Sequence, residues 1–408
     1  MKFNTKLLHG KAVKRYDFGA TLPPISQVSA FSYETAEQLE KVFNNKAMGF
    51  AYTRIGNPVV DAFEKRICEM ENGASAVACS SGMAAISSAL LNVLQAGDEI
   101  IASSGLFGGT IDLFRDLESL GITTRYAAHI TPEEIAPLIN EKTKLVFAEV
   151  ISNPGLEIID IKAIADFVHS KNIPLFLDNT TATPYLVNPL DLGADIVIHS
   201  SSKYINGSSN SISGVIIDGG KFAWDTEKYP CLKSFSKFGP FAFTAKLRND
   251  VWRNIGACLS PMNAYLNILG LETLGLRMDK ICSNAHKLAE ALNNLDGVEA
   301  NYPLLAGNPY KQLAQSQLHN YGGAILTIRT GSKAKAYKIM NNLNYASIAT
   351  NIGDVRTLVI HPASTIYIHN TTEQMHSAGV FDDTIRISVG IEDVADLIED
   401  FTLAIENA

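Results

Sequence analysis

Two residues that end neighbouring apolar segments have side chains suited to amine chemistry. Asp178 ends the run IPLFLD (173–178), and Lys203 follows the run ADIVIHS (194–200). Ligands of open α/β sheets bind outside the carboxyl ends of the strands, so this carboxylate and this amine could face one pocket. A pyridoxal cofactor requires such a pair, because the lysine forms a Schiff base and the aspartate favours the protonated pyridine nitrogen. Alone, Asp178 fits a turn or helix cap equally well, and Lys203 fits a solvated serine-rich loop.

A third segment, ACSSGMAAI (78–86), could bind a phosphate. An apolar strand ends, Ser80, Ser81 and Gly82 form a tight turn, and an apolar helix begins. Free amides at a helix start attract anions, and Ser200 and Ser202 could add hydroxyl groups. Taken by itself, the segment also fits a plain helix cap. Neither a P-loop nor a dinucleotide-binding glycine fingerprint is present.

Arg386 lies in the otherwise apolar strand-like segment TIRISVG (384–390). A buried arginine needs a partner, since leaving it unpaired is costly. Its planar fork suits a substrate carboxylate, and a structural ion pair within the protein is the alternative.

The elements that must position these residues follow from strand–helix alternation. Near-continuous apolar strands separated by helical segments predict an α/β fold with a mostly parallel, seven-stranded sheet covered on both faces. The strand-like runs are 75–80, 99–103, 123–128, 144–150, 173–178, 194–200 and 213–218. The helix-like segments between them are 83–94, 109–120, 131–139 and 160–170.

The pattern changes along the chain in a way that indicates three parts. Residues 1–60 contain Gly, Pro and aromatic residues with little periodicity, and we expect an irregular arm that covers its own domain or contacts a neighbouring subunit. Residues 61–250 form the expected large α/β domain. Residues 251–408 form a smaller C-terminal α+β domain, with strands expected at 322–331 and 384–390.

Composition excludes several classes of function. The chain has 408 residues, 46% of them hydrophobic, and a net charge of −8, which argues against nucleic acid and anionic membrane surfaces as partners. No apolar run approaches the roughly 20 residues that span a bilayer, and the N-terminal sequence has no apolar leader segment. The five cysteines are scattered without a C-x-x-C pair, so we expect reduced thiols, a cytoplasmic protein and no metal site.

Five motifs together resemble one known family. The chain is similar to the Cys/Met-metabolism class of pyridoxal-phosphate enzymes, a branch of the aspartate-aminotransferase fold, also called fold type I. The motifs occur in the family's order over nearly the whole chain: YTRIGNP (52–58), SSGMAAI (80–86), DNTTATP (178–184), HSSSKYINGSS (199–209) and RISVGIED (386–393).

The resemblance assigns roles residue by residue. It implies that Lys203 carries the cofactor as a Schiff base and that Asp178 pairs with the pyridine nitrogen. The residues implied to contact the rest of the cofactor are Ser81, Gly82, Met83, Ser200 and Ser202 at the phosphate, Phe107 on the ring face and Asn153 at the ring oxygen. Tyr52 and Arg54 are implied to reach the phosphate of a neighbouring subunit, within a homo-oligomer expected to be a dimer of dimers. The substrate-binding residues are Arg386, Asn351 and Tyr52.

One departure from the family pattern concerns the stacking residue. The family usually has tyrosine in a Y-G-x-T motif, where this chain has LFGGT with Phe107. Stacking needs only the ring face, but a phenolic hydroxyl for proton transfer is missing. A second departure is DNTT, where many members have DNTF.

Within the family, three segments resemble the O-acetylhomoserine sulfhydrylase branch: GVIIDGGKFAW (214–224), LSPMNAYLNILGLETLGLRM (259–278) and NIGDVRTLVIHPAST (351–365). Cystathionine lyases and methionine γ-lyase tend to carry S-L-G at 351–353, and methionine γ-lyase has cysteine in place of Gly109. The resemblance therefore implies replacement of acetate by sulfide to give homocysteine in methionine biosynthesis.

Other functions remain as alternatives at this stage. Within the family these are methionine γ-lyase and cystathionine γ-synthase or lyase activity. Outside it, the retained Lys203, Asp178 and Arg386 speak against a binding protein without chemistry, and the missing glycine fingerprint speaks against a nicotinamide enzyme. The acyl group and the sulfur donor stay open.

Overall fold

A seven-stranded sheet forms the centre of the fold, as the apolar runs predict. The computed structural model describes residues 1–14, 16–44 and 46–408. The strands are β1 Ser75–Cys79, β2 Glu99–Ser103, β3 Thr123–Ala127, β4 Thr143–Glu149, β5 Leu175–Asp178, β6 Ile196–His199 and β7 Gly214–Asp218. Their order is β1-β7-β6-β5-β4-β2-β3. The prediction of a mostly parallel sheet is confirmed, because only β7 runs antiparallel to its neighbours β1 and β6.

Helices cover both faces of this sheet, which explains the continuous apolar strands. Alternate strand residues point to opposite faces: Leu177 and Val197 belong to one core cluster, and Phe176 and Ile198 to the other. The helices of the described chain are α1 Phe3–His9, α2 Ala36–Phe43, α3 Pro58–Met70, α4 Gly82–Leu91, α5 Gly108–Glu118, α6 Pro132–Ile135, α7 Ile161–His169, α8 Thr183–Leu186, α9 Ala242–Asn249, α10 Val251–Ile255, α11 Pro261–Glu272, α12 Leu274–Leu292, α13 Lys311–Gln317, α14 Lys333–Asn342, α15 Thr372–Ser377 and α16 Val394–Glu406.

The N-terminal segment is more regular than expected. The expectation of an irregular segment over 1–60 is wrong where α1 and α2 form. Leu7 of α1 packs into the core, whereas no residue of α2 is buried. The side chain of Thr35 caps α2 by accepting a hydrogen bond from the Gln38 amide. The sequence AEQLEKVF places Leu39, Val42 and Phe43 at helical spacing, a signal of an amphipathic helix that the sequence analysis missed.

A second sheet belongs to the C-terminal part of the chain. Its strands are β8 Glu299–Asn301, β9 Ile325–Arg329, β10 Ser347–Ile348, β11 Leu358–Ile360 and β12 Thr384–Ser388, in the order β10-β11-β12-β9-β8. The two strands expected from sequence correspond to β9 and β12, which pair antiparallel. Arg386 is therefore held on a central strand, opposite Thr327 of β9 and Ile360 of β11.

Two further features bear on the sequence-based exclusions. None of the helices in the described residues has the length and apolar character needed to cross a membrane. All five cysteines are free thiols.

Candidate active site

A cavity of about 810 Å³ lies at the carboxyl ends of the strands of the large sheet and reaches the second sheet. Every site residue predicted from sequence lines it, apart from Tyr52 and Arg54. The predicted residues that do so are Ser81, Gly82, Met83, Phe107, Asn153, Asp178, Ser200, Ser202, Lys203, Asn351 and Arg386. The residues inferred from chain pattern and those implied by the family resemblance therefore line one pocket, although they come from segments spread over most of the chain.

The start of α4 forms the expected anion cradle. Ser81 caps the helix, since its Oγ accepts a hydrogen bond from the Ala84 amide at 3.0 Å. The amides of Gly82 and Met83 precede the first intrahelical bond and have no acceptor in the described chain. A Cβ added at Gly82 would lie 2.7 Å from Cβ of Ser200, so only glycine lets these two segments meet. Two free amides at a helix N-terminus beside a serine suit a phosphate group.

The two predicted serine donors differ in their surroundings. The backbone amide of Ser200 donates to Thr180 Oγ1 at 2.8 Å, which leaves its own hydroxyl beside Gly82. The Ser202 hydroxyl instead donates to the carbonyl of Ser213 at 3.0 Å and accepts from the Ser213 amide at 2.8 Å. Ser202 must therefore give up its bond to the Ser213 carbonyl to donate to a ligand, while it can keep the bond from the Ser213 amide.

Asp178 is a carboxyl group without a cationic partner. It ends β5, and its Oδ1 accepts the amide of Thr180 at 2.8 Å. Burial raises the pKa of Asp178, against the lowering effect of the Thr180 hydrogen bonds and of nearby His199. No ion pair of the described residues includes Asp178. A carboxylate in this position would be stabilised by a ligand that brings a positive charge.

The amine of Lys203 is shifted toward its neutral form by its surroundings. Burial, together with the positive charge of Arg386, lowers the pKa of Lys203 to about 8. Nζ of Lys203 donates a hydrogen bond to Oδ1 of Asn351, whose Nδ2 donates to Ser209 Oγ at 2.7 Å. A lysine with a lowered pKa has a larger free-amine fraction near neutral pH, which both nucleophilic attack and proton abstraction need.

Arg386 has no acidic partner, which decides between the two interpretations of this residue. Its side chain is buried, and its terminal nitrogens donate only to Asn153 Oδ1 at 3.3 Å and to the carbonyls of Thr350 and Asn351 at 3.4 and 3.0 Å. Its Nε has no partner in the described chain. Burial lowers the pKa of Arg386 to about 10. An internal ion pair is thus excluded among the described residues, and the guanidinium is free to take a carboxylate from the cavity.

Phe107, which the family resemblance implies is the stacking residue, lines the cavity. It precedes α5, and its ring lies against Gly109, where an added Cβ would come within 2.7 Å of the ring. A larger residue at 109 would therefore displace the ring. No tyrosine, histidine or cysteine lines the cavity in the described chain. Within one subunit, no other cavity residue of the described chain supplies the phenolic hydroxyl that Phe107 lacks.

Glu149 is a cavity residue that the sequence analysis missed. It ends β4, directly opposite Asp178 of β5 in the parallel ladder. Its carboxyl accepts the amide of Phe107 at 2.7 Å and the amide of Asn153 at 3.1 Å. The signal was present in the sequence, because Glu149 is an acid at the end of a buried apolar run, as Asp178 is.

Tyr52 and Arg54 lie away from the cavity of their own chain. Arg54 donates to the carbonyl of Arg253 at 2.8 Å and lies over the ring of Tyr52. Tyr52 is 43% exposed. Both side chains are thus accessible on a surface, and neither adds to the site within one subunit.

These groups complement a particular kind of ligand. An amine, an uncompensated buried carboxyl, a helix start with free amides and an unpaired buried guanidinium all face one cavity. An aldehyde, a cationic ring nitrogen, a phosphate and a carboxylate are their respective chemical partners. The residues present therefore fit pyridoxal phosphate together with an amino-acid substrate. The described residues contain no group of three or more His, Cys, Asp or Glu placed to hold a metal ion.

Comparison with known proteins agrees with this chemistry. The family model described as Cys/Met metabolism PLP-dependent enzyme matches residues 4–406. Homocysteine synthase of Schizosaccharomyces pombe is 38% identical, covering 100% of this chain and 98% of the relative. O-acetyl-L-homoserine sulfhydrylase of Corynebacterium glutamicum is 38% identical, covering 98% and 95%. An L-methionine gamma-lyase of Fusobacterium nucleatum subsp. polymorphum is 36% identical, covering 98% and 97%.

A solved structure supports both the fold and the cofactor. A putative O-acetylhomoserine (thiol)-lyase from Campylobacter jejuni, which contains a pyridoxyl-lysine monophosphate, superimposes with a TM-score of 0.94 at 33% identity over 100% of both chains. The predictions of fold type I and of pyridoxal phosphate as cofactor are confirmed. Since the family model spans nearly all residues and the relatives exceed 30% identity, this chain belongs to the Cys/Met-metabolism family of pyridoxal-phosphate-dependent enzymes.

Proposed function

We propose that the enzyme is an O-acetyl-L-homoserine sulfhydrylase, which replaces the acetate of O-acetyl-L-homoserine by sulfide to give L-homocysteine. The observation that carries the proposal is Phe107, whose ring stands where the family usually has tyrosine and has no hydroxyl to protonate a thiolate leaving group. The similarity to homocysteine synthase and O-acetyl-L-homoserine sulfhydrylase supports it independently.

The proposed cofactor contacts follow from the cavity. Pyridoxal phosphate, when bound, withdraws electrons from the substrate carbon next to the amine. Lys203 would hold the cofactor, Asp178 would pair with its ring nitrogen, and Phe107 and Asn153 would contact the ring. The proposed phosphate ligands are Ser81, Gly82, Met83, Ser200 and Ser202, which line the same end of the cavity.

Lys203 is also the proposed base. Its lowered pKa of about 8 gives a useful fraction of free amine near neutral pH, and general bases work best when their pKa lies near the working pH. The hydrogen bond to Asn351 fixes the position of Nζ. Lys203 would take the proton from the carbon next to the substrate amine.

Arg386 is the proposed anchor for the substrate carboxylate. Its buried guanidinium lacks any carboxylate of the described chain, so a substrate supplies the missing charge. Asn351 lies on the same side, since its carbonyl accepts from Arg386 and its side chain from Lys203. One residue thus links the carboxylate anchor to the base.

The leaving group separates the proposed reaction from its nearest alternative. Acetate leaves as a stable anion without a proton, whereas methanethiolate leaves poorly unless an acid protonates it. Phe107 cannot supply that proton. A γ-lyase acting on methionine is therefore the less favoured function, although the chain is 36% identical to a methionine γ-lyase.

We further propose that the site is completed by a second subunit. Tyr52 and Arg54 are exposed, lie away from their own cavity and would reach the phosphate end of a neighbour's cavity. Residues 1–60 would then serve as the connecting arm, 61–250 as the cofactor domain and 251–408 as the smaller domain, in a dimer of dimers.

A substrate panel tests the proposed reaction. Acetyl-, succinyl- and phospho-homoserine are each paired with sulfide, cysteine or methanethiol, and methionine is assayed alone. We expect the highest kcat/KM for O-acetylhomoserine with sulfide, detected as homocysteine and acetate in equal amounts. Comparable kcat/KM for elimination of methanethiol from methionine contradicts the proposal.

A further inference from the structure

Glu149 joins two separate segments of the cavity wall through a single carboxyl group. Oε1 accepts the backbone amide of Phe107, at the start of α5, at 2.7 Å. Oε2 accepts the backbone amide of Asn153, in the loop after β4, at 3.1 Å. Glu149 is 8% exposed and lines the cavity. Both oxygens are therefore committed to fixing the backbone of residues that face the ligand.

The contacts of Glu149 extend to both ends of the site. Side-chain Oδ1 of Asn153 accepts a hydrogen bond from Arg386 at 3.3 Å, so the loop that Glu149 fixes also contacts the proposed carboxylate anchor. The hydroxyl of Tyr367 donates to the carbonyl of Leu106 at 2.9 Å and to that of Asn153 at 3.2 Å. The segments at 106–107 and at 153 are thus tied twice, once by Glu149 and once by Tyr367.

Glu149 is also the direct neighbour of Asp178. The two residues pair in the parallel ladder of β4 and β5, so their side chains leave the same face of strands about 4.8 Å apart. Burial and the nearby Asp178 raise the pKa of Glu149 to about 8. Two buried carboxyl groups on adjacent strands disfavour each other's ionised form. The backbone amides of Phe107 and Asn153 act in the opposite direction, because both donate to the Glu149 carboxyl and lower its pKa.

We propose that Glu149 is a positioning residue, which holds Phe107 and Asn153 as one unit around the cofactor ring. The inference rests on the proposed use of this cavity as the cofactor site. It does not depend on which substrate the enzyme takes. Glu149 acts through the residues that it fixes and does not itself carry out a step.

The alternative is that Glu149 serves only to satisfy two buried amides, as many buried acids do. Asp195 offers a matched control, because its buried carboxyl accepts the Leu175 amide at 2.8 Å and contacts His169 at 2.8 Å. Asp195 and Leu175 lie at the opposite ends of β5 and β6 from the cavity. Asp195→Asn loses a similar buried acceptor without touching the site.

The test uses Glu149→Gln and Asp195→Asn in the full-length protein. The glutamine amide keeps one acceptor and turns a donor toward the other backbone amide, so one of the two contacts is lost. Binding of pyridoxal phosphate to the apoprotein should weaken by about tenfold, the typical effect of losing one such bond to a charged or acidic group. The visible circular dichroism of bound cofactor, which reports the orientation of its ring, should change at full saturation. Asp195→Asn should lower only the unfolding temperature.

A wild-type cofactor affinity and circular dichroism signal in Glu149→Gln overturn the proposal, whatever its unfolding temperature. If Glu149→Gln does not fold, Glu149→Asp replaces it. The aspartate keeps the carboxyl group but is too short to reach both amides. It should therefore weaken cofactor binding and change the visible circular dichroism, as expected for Glu149→Gln. Neither readout involves a substrate. Wild-type protein that binds the cofactor but prefers another reaction contradicts the sulfhydrylase proposal alone, and wild-type protein that binds none contradicts the cofactor site.

Discussion

Arg386 should be a residue whose removal costs function but not stability. The side chain is buried, and its three hydrogen bonds are 3.0–3.4 Å long. Hydrogen bonds from a charged donor contribute roughly 1.5–3 kcal/mol each when well formed, and bonds this long should lie at or below the low end of that range. A buried charge without a counter-charge costs several kcal/mol, of which the surrounding carbonyls offset a part. In Arg386→Met these two effects oppose each other, so the free energy of unfolding should fall by less than about 1 kcal/mol or rise.

The catalytic efficiency of Arg386→Met, in contrast to its stability, should fall strongly. Removing one partner of a buried charge pair typically costs about 3 kcal/mol or more, here through the substrate carboxylate left unpaired. At about 1.4 kcal/mol per factor of ten, kcat/KM for the amino-acid substrate should fall at least about 100-fold. Steady-state kinetics with O-acetylhomoserine and urea unfolding of the same preparation measure both quantities.

Arg66 provides the matched control. It is equally buried, but its NH1 pairs with Glu272 at 2.8 Å, and it does not line the cavity. Arg66→Met breaks an internal ion pair and should lower the free energy of unfolding by about 1–3 kcal/mol, since Glu272 keeps some exposure. Its kcat/KM should stay within about threefold of wild type, within the scatter expected of a change outside the site. If Arg386→Met is the more unstable variant and retains kcat/KM, Arg386 is a structural residue and the reasoning fails.

Three further predictions follow from the site. Phe107→Tyr supplies the missing hydroxyl, so elimination of methanethiol from methionine should increase relative to acetate replacement; an unchanged ratio removes Phe107 from the explanation. Lys203 in the apoprotein, followed by NMR after reductive methylation, should lose its proton with a midpoint near 8, because burial and Arg386 disfavour the cation, and a midpoint near its ordinary 10.5 contradicts this. Arg54→Ala and Lys203→Ala should each be inactive, and mixed subunits should recover activity through the hybrid site that keeps both groups; proven hybrids without activity place Arg54 outside a shared site.

The strands of the large sheet could be predicted because the apolar pattern that marks each strand lies within a short stretch of sequence. A run such as LVFA in β4 is apolar at every position, and a polar residue directly after such a run lies at the sheet edge. Asp178 and Lys203 were found in this way. The short strands β8, β10 and β11 have only two or three residues, too few for alternation to show.

Other features depend on contacts between distant segments. Whether Arg386 had an acidic partner could not be read from TIRISVG, because the answer lies in what surrounds it in space. Glu149 looked like an ordinary strand acid until the register placed it opposite Asp178 and its oxygens on the amides of Phe107 and Asn153. Sequence pattern and family resemblance together pointed to the residues proposed to contact the ligand, but not to the residue proposed to hold them in place.

The most direct test of the central claim is to trap the cofactor on the enzyme. Reduction of the purified holoenzyme with borohydride should fix the pyridoxyl group to one lysine, and digestion followed by mass spectrometry locates it. We expect the label on Lys203, in the segment that follows β6, together with loss of homocysteine synthesis in proportion to labelling. A label on another lysine, or full activity after complete reduction, contradicts the assignment of this cavity as the active site.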